Sequence, residues 1–309
     1  MDMKKIKYVC SIDGGGCRGM VPALVLAYME SKYGKPCHEM FDMVAGTSIG
    51  GILACLISTG VPATDTTSFF TVNGPQIFGK VVPFGWGGIL RPRYNEKILE
   101  GVLKDKLRDP SRQLPATLHD CKVQLLVTAE DVNSVSPPTL FQSGDGYDNL
   151  ELWKIGRATS AAQTYFKPMQ IGNKILWDGG NVTNNPSLAA YVRACKLWPD
   201  HDIHILSLGC GETTWPPSIK ATVGSPYSWG ILKVVATMLG RALDIAPKLV
   251  DDELTELMGE RESYTRLQPV TPTVTALDDA SPEAIRMMRA VASQLITSNR
   301  KVLDSFFDQ

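Results

Sequence analysis

The sequence predicts an α/β fold in which a mostly parallel central sheet is flanked by helices. Three observations carry that expectation. Two strand–loop–helix units follow one another at the N-terminus, "KYVCSIDGGG" with "GMVPALVLAYMESKYG" and then "MFDMVAGTS" with "IGGILACLISTG"; a helix between successive strands is the connection that parallel pairing requires. "HDIHILSLGCG" is a near-continuous apolar run, the pattern of a strand buried on both faces. Hydrophobic residues make up 44% of the 309 positions and charged residues 20%, which allows a large core.

Taken in order, the first strand ends in a glycine loop. The helix after it carries Leu24, Leu26, Tyr28 and Met29 on or near one stripe and stops at Gly34. The second strand leads into a largely buried helix closed by Gly60. Residues 73–93 are rich in Gly, Pro and aromatics, which suits a loop with little regular structure. "NEKILEGVLKDKLRD" reads as helix, "CKVQLLVTAEDVN" as strand and "SVSPPT" as a turn. "LELWKIGRATSAAQTYF" is a helix with a small, polar end, and "KILWDGGNVTNNPSLAAYVRACKLWP" is strand, turn, helix. Beyond the apolar run, "TTWPPSIKATVGSPYSWG" is loop and residues 229–259 form one or two helices. Ser281, Pro282 and Glu283 fit an N-cap, a first-turn proline and a first-turn acid. The helix they open is expected to run to the end, with Ile285, Met288, Ala292, Leu295, Val302 and Phe306 as its apolar stripe. With no repeat and no flexible linker, the expectation is a single domain, 1–309, whose C-terminal part, 226–309, is helical.

Composition excludes several functions. The net charge is -1 and dispersed, unlike a nucleic-acid surface with its clustered Lys and Arg. The seven cysteines, Cys10, Cys17, Cys37, Cys55, Cys121, Cys195 and Cys210, show neither CxxC pairs nor zinc spacing, so a reduced, cytoplasmic compartment is expected, with no metal or cofactor. The N-terminus runs directly into the glycine loop and does not read as a signal peptide. No run of eighteen apolar residues occurs, so membrane contact is expected to be peripheral.

Three strand ends carry chemistry. Gly46-Thr47-Ser48-Ile49-Gly50 is a G-x-S-x-G between an apolar strand and an apolar helix. A serine there is either an ordinary turn residue or a nucleophile on a tight elbow, its hydroxyl at a helix N-terminus where negative charge is favoured. "DGGGCRG", Asp13 to Gly19, offers converging backbone N–H groups unobstructed by side chains; it reads as an oxyanion hole, a phosphate cradle or a plain tight turn. Gly14, Gly16 and Gly19 satisfy the dinucleotide pattern G-x-G-x-x-G literally, but the second strand ends in the serine elbow instead of an acid that would hold a ribose. "WDGGNVTNNP" places Asp178 at a strand end, as a common Asp-Gly turn or as a base. In a parallel sheet all three loops open on the carboxyl edge, where α/β proteins bind ligands.

The motifs "DGGGCRG", "GTSIG", "ATSAAQTYF" and "DGG", in this order between Tyr8 and Gly209, resemble the patatin-like phospholipase family. The resemblance implies a patatin-like three-layer fold and a Ser–Asp dyad that hydrolyses acyl esters. It implies Ser48 as nucleophile, Asp178 as base, and Gly14, Gly15 and Gly16 with Arg18 as the oxyanion hole. Gln163 departs from the family, which usually has proline there; Asn184, Asn185 and Pro186 fit the extension after DGG. The implied substrate is a phospholipid, met peripherally at the inner membrane. Bacterial members of this size include antiviral effectors switched on by a cyclic nucleotide, so such an activator, and an oligomer, belong to the expectation, although no residue locates a nucleotide site.

The chemistry of the residues agrees. A serine hydroxyl needs a base, a partly desolvated carboxylate can be one, and glycine backbone can hold the oxyanion. A Ser–Asp–His triad would draw on His201 or His204, but His204 lies within a buried strand and His201 in a polar connection; His38 and His119 precede Asp178. "VVPFGWGGIL" with Trp86 and "SWGILKVVATMLG" with Trp229 are candidates for an acyl-chain entrance, the second equally for core. The competing function is a non-catalytic sensor of a phosphate-bearing ligand with Ser48 inert; a carboxylate beside the anion site disfavours it.

Overall fold

The computed structural model describes residues 5–79, 81–82, 91–109, 111–134, 138–213, 245–258, 263–271 and 276–308. Its strands are β1 (Lys5–Ile12), β2 (Met43–Gly46), β3 (Gln124–Asp131), β4 (Thr139–Gln142), β5 (Met169–Ile171), β6 (Lys174–Asp178), β7 (His201–Leu208), β8 (Glu212–Thr213), β9 (Ser263–Leu267) and β10 (Val270–Thr271). Eight of them form one sheet in the order β5-β6-β3-β2-β1-β7-β9, with β4 also on β3; β8 and β10 form a separate pair. The centre is parallel, β3-β2-β1-β7-β9, and the β4, β5 and β6 pairings are antiparallel.

The helices are α1 (Met20–Tyr33), α2 (Cys37–Met40), α3 (Ile49–Ser58), α4 (Ala63–Ser68), α5 (Gly74–Phe78), α6 (Glu96–Lys106), α7 (Leu152–Thr159), α8 (Ser187–Leu197), α9 (residues 245–257), α10 (Pro282–Ser298) and α11 (Arg300–Asp304). Alternation along β1 makes the layers: Cys10 and Ile12 join the large core under α1, α3, α7 and α10, while Val9 joins a smaller core with Ala190 and Ala194 of α8. The result is the expected mostly parallel sheet between helical layers.

Several elements differ from the sequence expectation. On α1, Leu24 and Tyr28 are only half-buried, whereas Val21, Ala23 and Val25 are inaccessible; the helix packs against α4 and α10 as well as the core, so it is apolar on most sides. The span expected to be loop from residue 73 contains α5, which follows a π-helical turn at Phe69–Asn73. The C-terminal helix breaks at Asn299, which shifts the phase of its stripe: Leu303 and Phe306 are buried but Val302 is exposed.

The direction of β6 is the correction that matters most for function. Asp178 does not end a parallel strand. Gly46 at the end of β2 is level with Val127 of β3. β3 runs on past that level, and β6 lies antiparallel on the overhang, pairing Leu176 with Asp131 and Asp178 with Ala129. Running back along β3, β6 delivers Asp178 to within two residues of the level at which the serine elbow leaves the sheet.

Candidate active site

β2 is buried throughout and hands the chain to α3 through Thr47 and Ser48. Ser48 has φ 55° and ψ -125°, a strained backbone for a residue with a Cβ. The elbow is too tight for side chains on either side: a Cβ at Gly46 would meet the Gly50 carbonyl, and one at Gly50 would meet the Ile12 carbonyl. The strain is held by hydrogen bonds. Ser48 N–H donates to Thr159 Oγ1 at 2.8 Å, and Thr47 Oγ1 lies 2.8 Å from both Thr128 Oγ1 and the Thr183 carbonyl.

Ser48 Oγ donates to Asp178 Oδ2 at 2.6 Å. The other carboxylate oxygen, Oδ1, accepts the Gly180 N–H at 2.8 Å, and the Asp178 N–H reaches the Ala161 carbonyl at 3.2 Å. The side chain is buried. Burial pushes its pKa up to about 6, against the opposing pull of the Ser48 and Gly180 hydrogen bonds. The stretch "ATSAAQTYF" thus holds both partners, Ser48 through the Thr159 hydroxyl and Asp178 through the Ala161 carbonyl, a role not readable from its sequence.

The glycine loop lies beside this pair. The Gly14 N–H is taken by the Asn184 carbonyl at 3.2 Å, the Cys17 N–H by the Leu277 carbonyl at 2.7 Å, and the Arg18 N–H by the Gly15 carbonyl at 3.2 Å. Among the described residues, the N–H groups of Gly15 and Gly16 carry no protein acceptor, and both residues line the cavity above Ser48. The expected set of four therefore divides. Gly15 and Gly16 offer donors, whereas Gly14 is engaged. Arg18 is buried, its Nε 3.4 Å from the Gly15 carbonyl and its Nη1 3.1 Å from the Gly211 carbonyl, so it steadies the loop. Packing fixes the loop further: a Cβ at Gly15 would overlap the Cys210 side chain, and one at Gly16, where φ is +56°, the Leu277 carbonyl.

Sequence reasoning missed a support beneath the loop. Arg266 of β9 grips Asp13 with two bonds, Nη1 to Oδ1 at 2.9 Å and Nη2 to Oδ2 at 2.5 Å, and reaches Ser207 Oγ at 2.8 Å. A buried carboxylate is tolerated when paired in this bidentate way.

The cavity above the pair has a volume of about 920 Å³, including its open mouth. Phe69, Phe70, Ile77, Phe78, Leu99 and Phe166 give it apolar walls, the surface a hydrocarbon chain needs. The run "SFFTVNGPQIF" was the available signal for these walls. Apart from Val81 and Val82, the two stretches expected at an acyl entrance lie outside the described residues, Trp86 and Trp229 included.

None of the four histidines, all of them among the described residues, lines this cavity. His204 is buried in β7, level with Tyr8 and packed edge-on against its ring at 5.7 Å, and His201 opens the same strand; the carboxyl edge is marked by Ile12 and Leu208. His38 and His119 line a different, polar pocket. Among the described residues, no group of three or more His, Cys, Asp or Glu is placed to hold a metal ion, and no helix is long and apolar enough to cross a membrane.

A model of the patatin-like phospholipase family matches residues 10–191, which include the glycine loop, the serine elbow and Asp178. The chain belongs to the patatin-like phospholipase family. It is 29% identical over 324 residues to the probable inactive patatin-like protein 9 of Arabidopsis thaliana, covering 94% of this chain and 80% of that protein. It is 27% identical over 316 residues to the calcium-independent phospholipase A2-gamma of Homo sapiens, covering 95% of this chain but 38% of that protein. Among solved structures, VipD from Legionella pneumophila aligns with a TM-score of 0.44 at 14% identity, over 96% of this chain and 67% of that one.

As a patatin-like phospholipase domain, the chain has lipid acyl hydrolysis as its family chemistry. One of these relatives is named inactive and another a phospholipase, so the residues at this particular site decide what this chain does.

Proposed function

We propose that this chain is a serine acyl hydrolase that cleaves fatty-acyl esters of phospholipids with a Ser48–Asp178 dyad. The observation that carries the reading is the 2.6 Å contact from Ser48 Oγ to a buried Asp178 carboxylate, in a cavity with no histidine among the described residues that line it. Ser48 Oγ attacks the ester carbonyl carbon and its proton passes to Asp178 Oδ2. The oxyanion forms beside the Gly15 and Gly16 N–H groups, where donors aimed at developing charge are worth most. Collapse breaks the ester bond; the leaving alkoxide takes the proton from Asp178, and the acyl group stays on Ser48. Water then attacks the acyl-enzyme while Asp178 accepts its proton. Collapse of the second intermediate expels Ser48 Oγ, which takes that proton back, and releases the fatty acid. The apolar walls at Phe69, Phe70 and Phe166 support an acyl chain as the bound group.

The chain would work from the cytoplasmic water phase at the inner membrane surface. The test is incubation with mixed phospholipid vesicles and mass spectrometry of released fatty acids, comparing wild type with Ser48→Ala. Release by wild type and none by Ser48→Ala is the expected outcome; equal release by both would remove Ser48 from the reaction. Parallel incubations with cyclic nucleotides test the activation that the family resemblance suggests: a rise in turnover on adding one supports it, and unchanged turnover across the series counts against it.

A further inference from the structure

Two tight turns meet at the reacting pair: the elbow between β2 and α3, and the turn after Asp178 that runs through Gly179 to Thr183. Among the described residues, two side-chain hydrogen bonds join them. One is the reactive contact, Ser48 Oγ to Asp178 Oδ2 at 2.6 Å. The other is chemically inert: Thr47 Oγ1 donates to the Thr183 carbonyl at 2.8 Å. A hydroxyl has one proton and a carbonyl can only accept, so the Thr47 proton goes to Thr183. The 2.8 Å contact between the Thr47 and Thr128 hydroxyls is then made with the Thr128 proton. The donors thus run one way, from β3 through the elbow to the turn that follows Asp178.

The turn that Thr47 holds is the one that orients the carboxylate. Within it the Thr183 N–H reaches the Gly179 carbonyl at 2.8 Å, and the Gly180 N–H reaches Asp178 Oδ1 at 2.8 Å. Thr128 packs on the same turn, since a Cβ at Gly179 would overlap its Oγ1. Thr47 and Thr128 are fully buried, so water cannot replace either hydroxyl. The reactive contact does not last through the reaction. Once Ser48 Oγ carries an acyl group it has no proton, and an ester oxygen opposite a carboxylate sets acceptor against acceptor. The Ser48 N–H on Thr159 and the Asp178 N–H on the Ala161 carbonyl persist, but each ties one partner to a third segment. The Thr47 bond ties the two turns directly, and acylation leaves it intact.

We propose that Thr47 is a positioning residue for deacylation: its hydroxyl keeps the elbow and the Asp178 turn in register while Ser48 is acylated, so that Asp178 stays where it takes the proton of the attacking water. This rests on the hydrolase reading and assigns a role within its second half. Acylation depends on the bond less, because the Ser48–Asp178 contact itself then holds the turns together.

The test uses the full chain and a p-nitrophenyl fatty-acyl ester at saturation. Acid quench and intact-protein mass spectrometry give the acylated fraction in the steady state. Turnover divided by that fraction is the deacylation rate, and turnover divided by the remainder is the acylation rate. In Thr47→Val deacylation is expected to slow by about ten- to a hundredfold, the cost of a misplacement on the order of 1 Å, while acylation slows much less. The acylated fraction therefore rises, and kcat and KM fall together. Thr47→Ser keeps the donor and should restore deacylation. Thr47→Cys, whose thiol is a weaker donor, should lie between the two, and it carries the same comparison if the valine variant does not fold. A general loss of structure would slow both steps. Unchanged deacylation, an equal or larger loss in acylation, or failure of Thr47→Ser to restore deacylation would overturn this proposal alone. Absence of any acyl group on wild-type Ser48 would overturn it together with the hydrolase reading.

Discussion

The Thr159 hydroxyl accepts the Ser48 N–H at 2.8 Å. The amide of Ser48, the proposed nucleophile, is thereby engaged in holding the elbow at φ 55°. Thr159 is fully buried at the end of α7, so water cannot replace it. An orphaned buried N–H costs about 1–3 kcal/mol, and some of that is expected to appear as elbow distortion. Thr159→Val should slow fluorophosphonate labelling of Ser48 by about ten- to a hundredfold, the range that cost implies at 1.4 kcal/mol per decade. Thr159→Ser should restore most of the rate. Equal loss in both variants would mean that the methyl group, not the acceptor, matters.

With Asp178 as the proposed base, the pH dependence of activity follows from its ionisation. Only the carboxylate accepts a proton, and burial places its pKa at about 6. kcat/KM should therefore rise as pH increases through about 6 and then level off. A pH–rate profile measured on wild type and Asp178→Asn checks this; the rising limb should vanish in the variant. A limb that survives the substitution belongs to another group.

The same shift makes Asp178 a cost to the fold. Its folded pKa, about 6, lies above the ordinary 3.8, so between those values the folded state binds more protons than the unfolded one. Stability is lost as pH rises through that window. At about 1.4 kcal/mol per pKa unit, the loss above pH 6 is at most about 3 kcal/mol. Asp178→Asn should thus be more stable than wild type at about pH 8, with a smaller difference near pH 4. Urea unfolding at both pH values measures it. A variant less stable at the higher pH would show that the carboxylate is better compensated than its burial implies.

Asp278 ties the loop's outer support to the cavity wall. Its carboxylate accepts Tyr94 O–H at 2.5 Å and pairs with Arg93 Nη1 at 2.9 Å, and the adjacent Leu277 carbonyl anchors the Cys17 N–H. Asp278→Asn weakens both contacts and should lower kcat more than it raises KM, because the loop donors act on charge that develops during reaction. Steady-state kinetics decide it; a pure KM effect would place Asp278 in binding instead.

What was legible in the sequence was what local geometry dictates. Gly46 and Gly50 flank Ser48 because no larger residue fits the elbow, so the strand–turn–helix pattern pointed to Ser48 directly. Asp178 was legible as an Asp-Gly-Gly strand end, but the direction of its strand was not, since antiparallel placement depends on how far β3 overhangs β2. Arg266 was invisible for a similar reason. It lies in "SYTRL", a half-polar run that reads poorly as a strand, and its partner Asp13 is 253 positions away. Phe69 and Phe70 were present as an aromatic pair, yet only the helical turns that follow α4 aim that segment at the cavity.

The most direct test of the dyad is the rate of acyl-enzyme formation, followed by rapid quench and intact-protein mass spectrometry after mixing with a fatty-acyl ester. Wild type should gain one acyl mass, located by peptide mapping to Ser48. Asp178→Asn should gain it at least about a hundredfold more slowly, the low end for a positioned base, while a folded His204→Gln should match wild type. Normal acylation of Asp178→Asn, with loss in His204→Gln, would contradict the Ser48–Asp178 account.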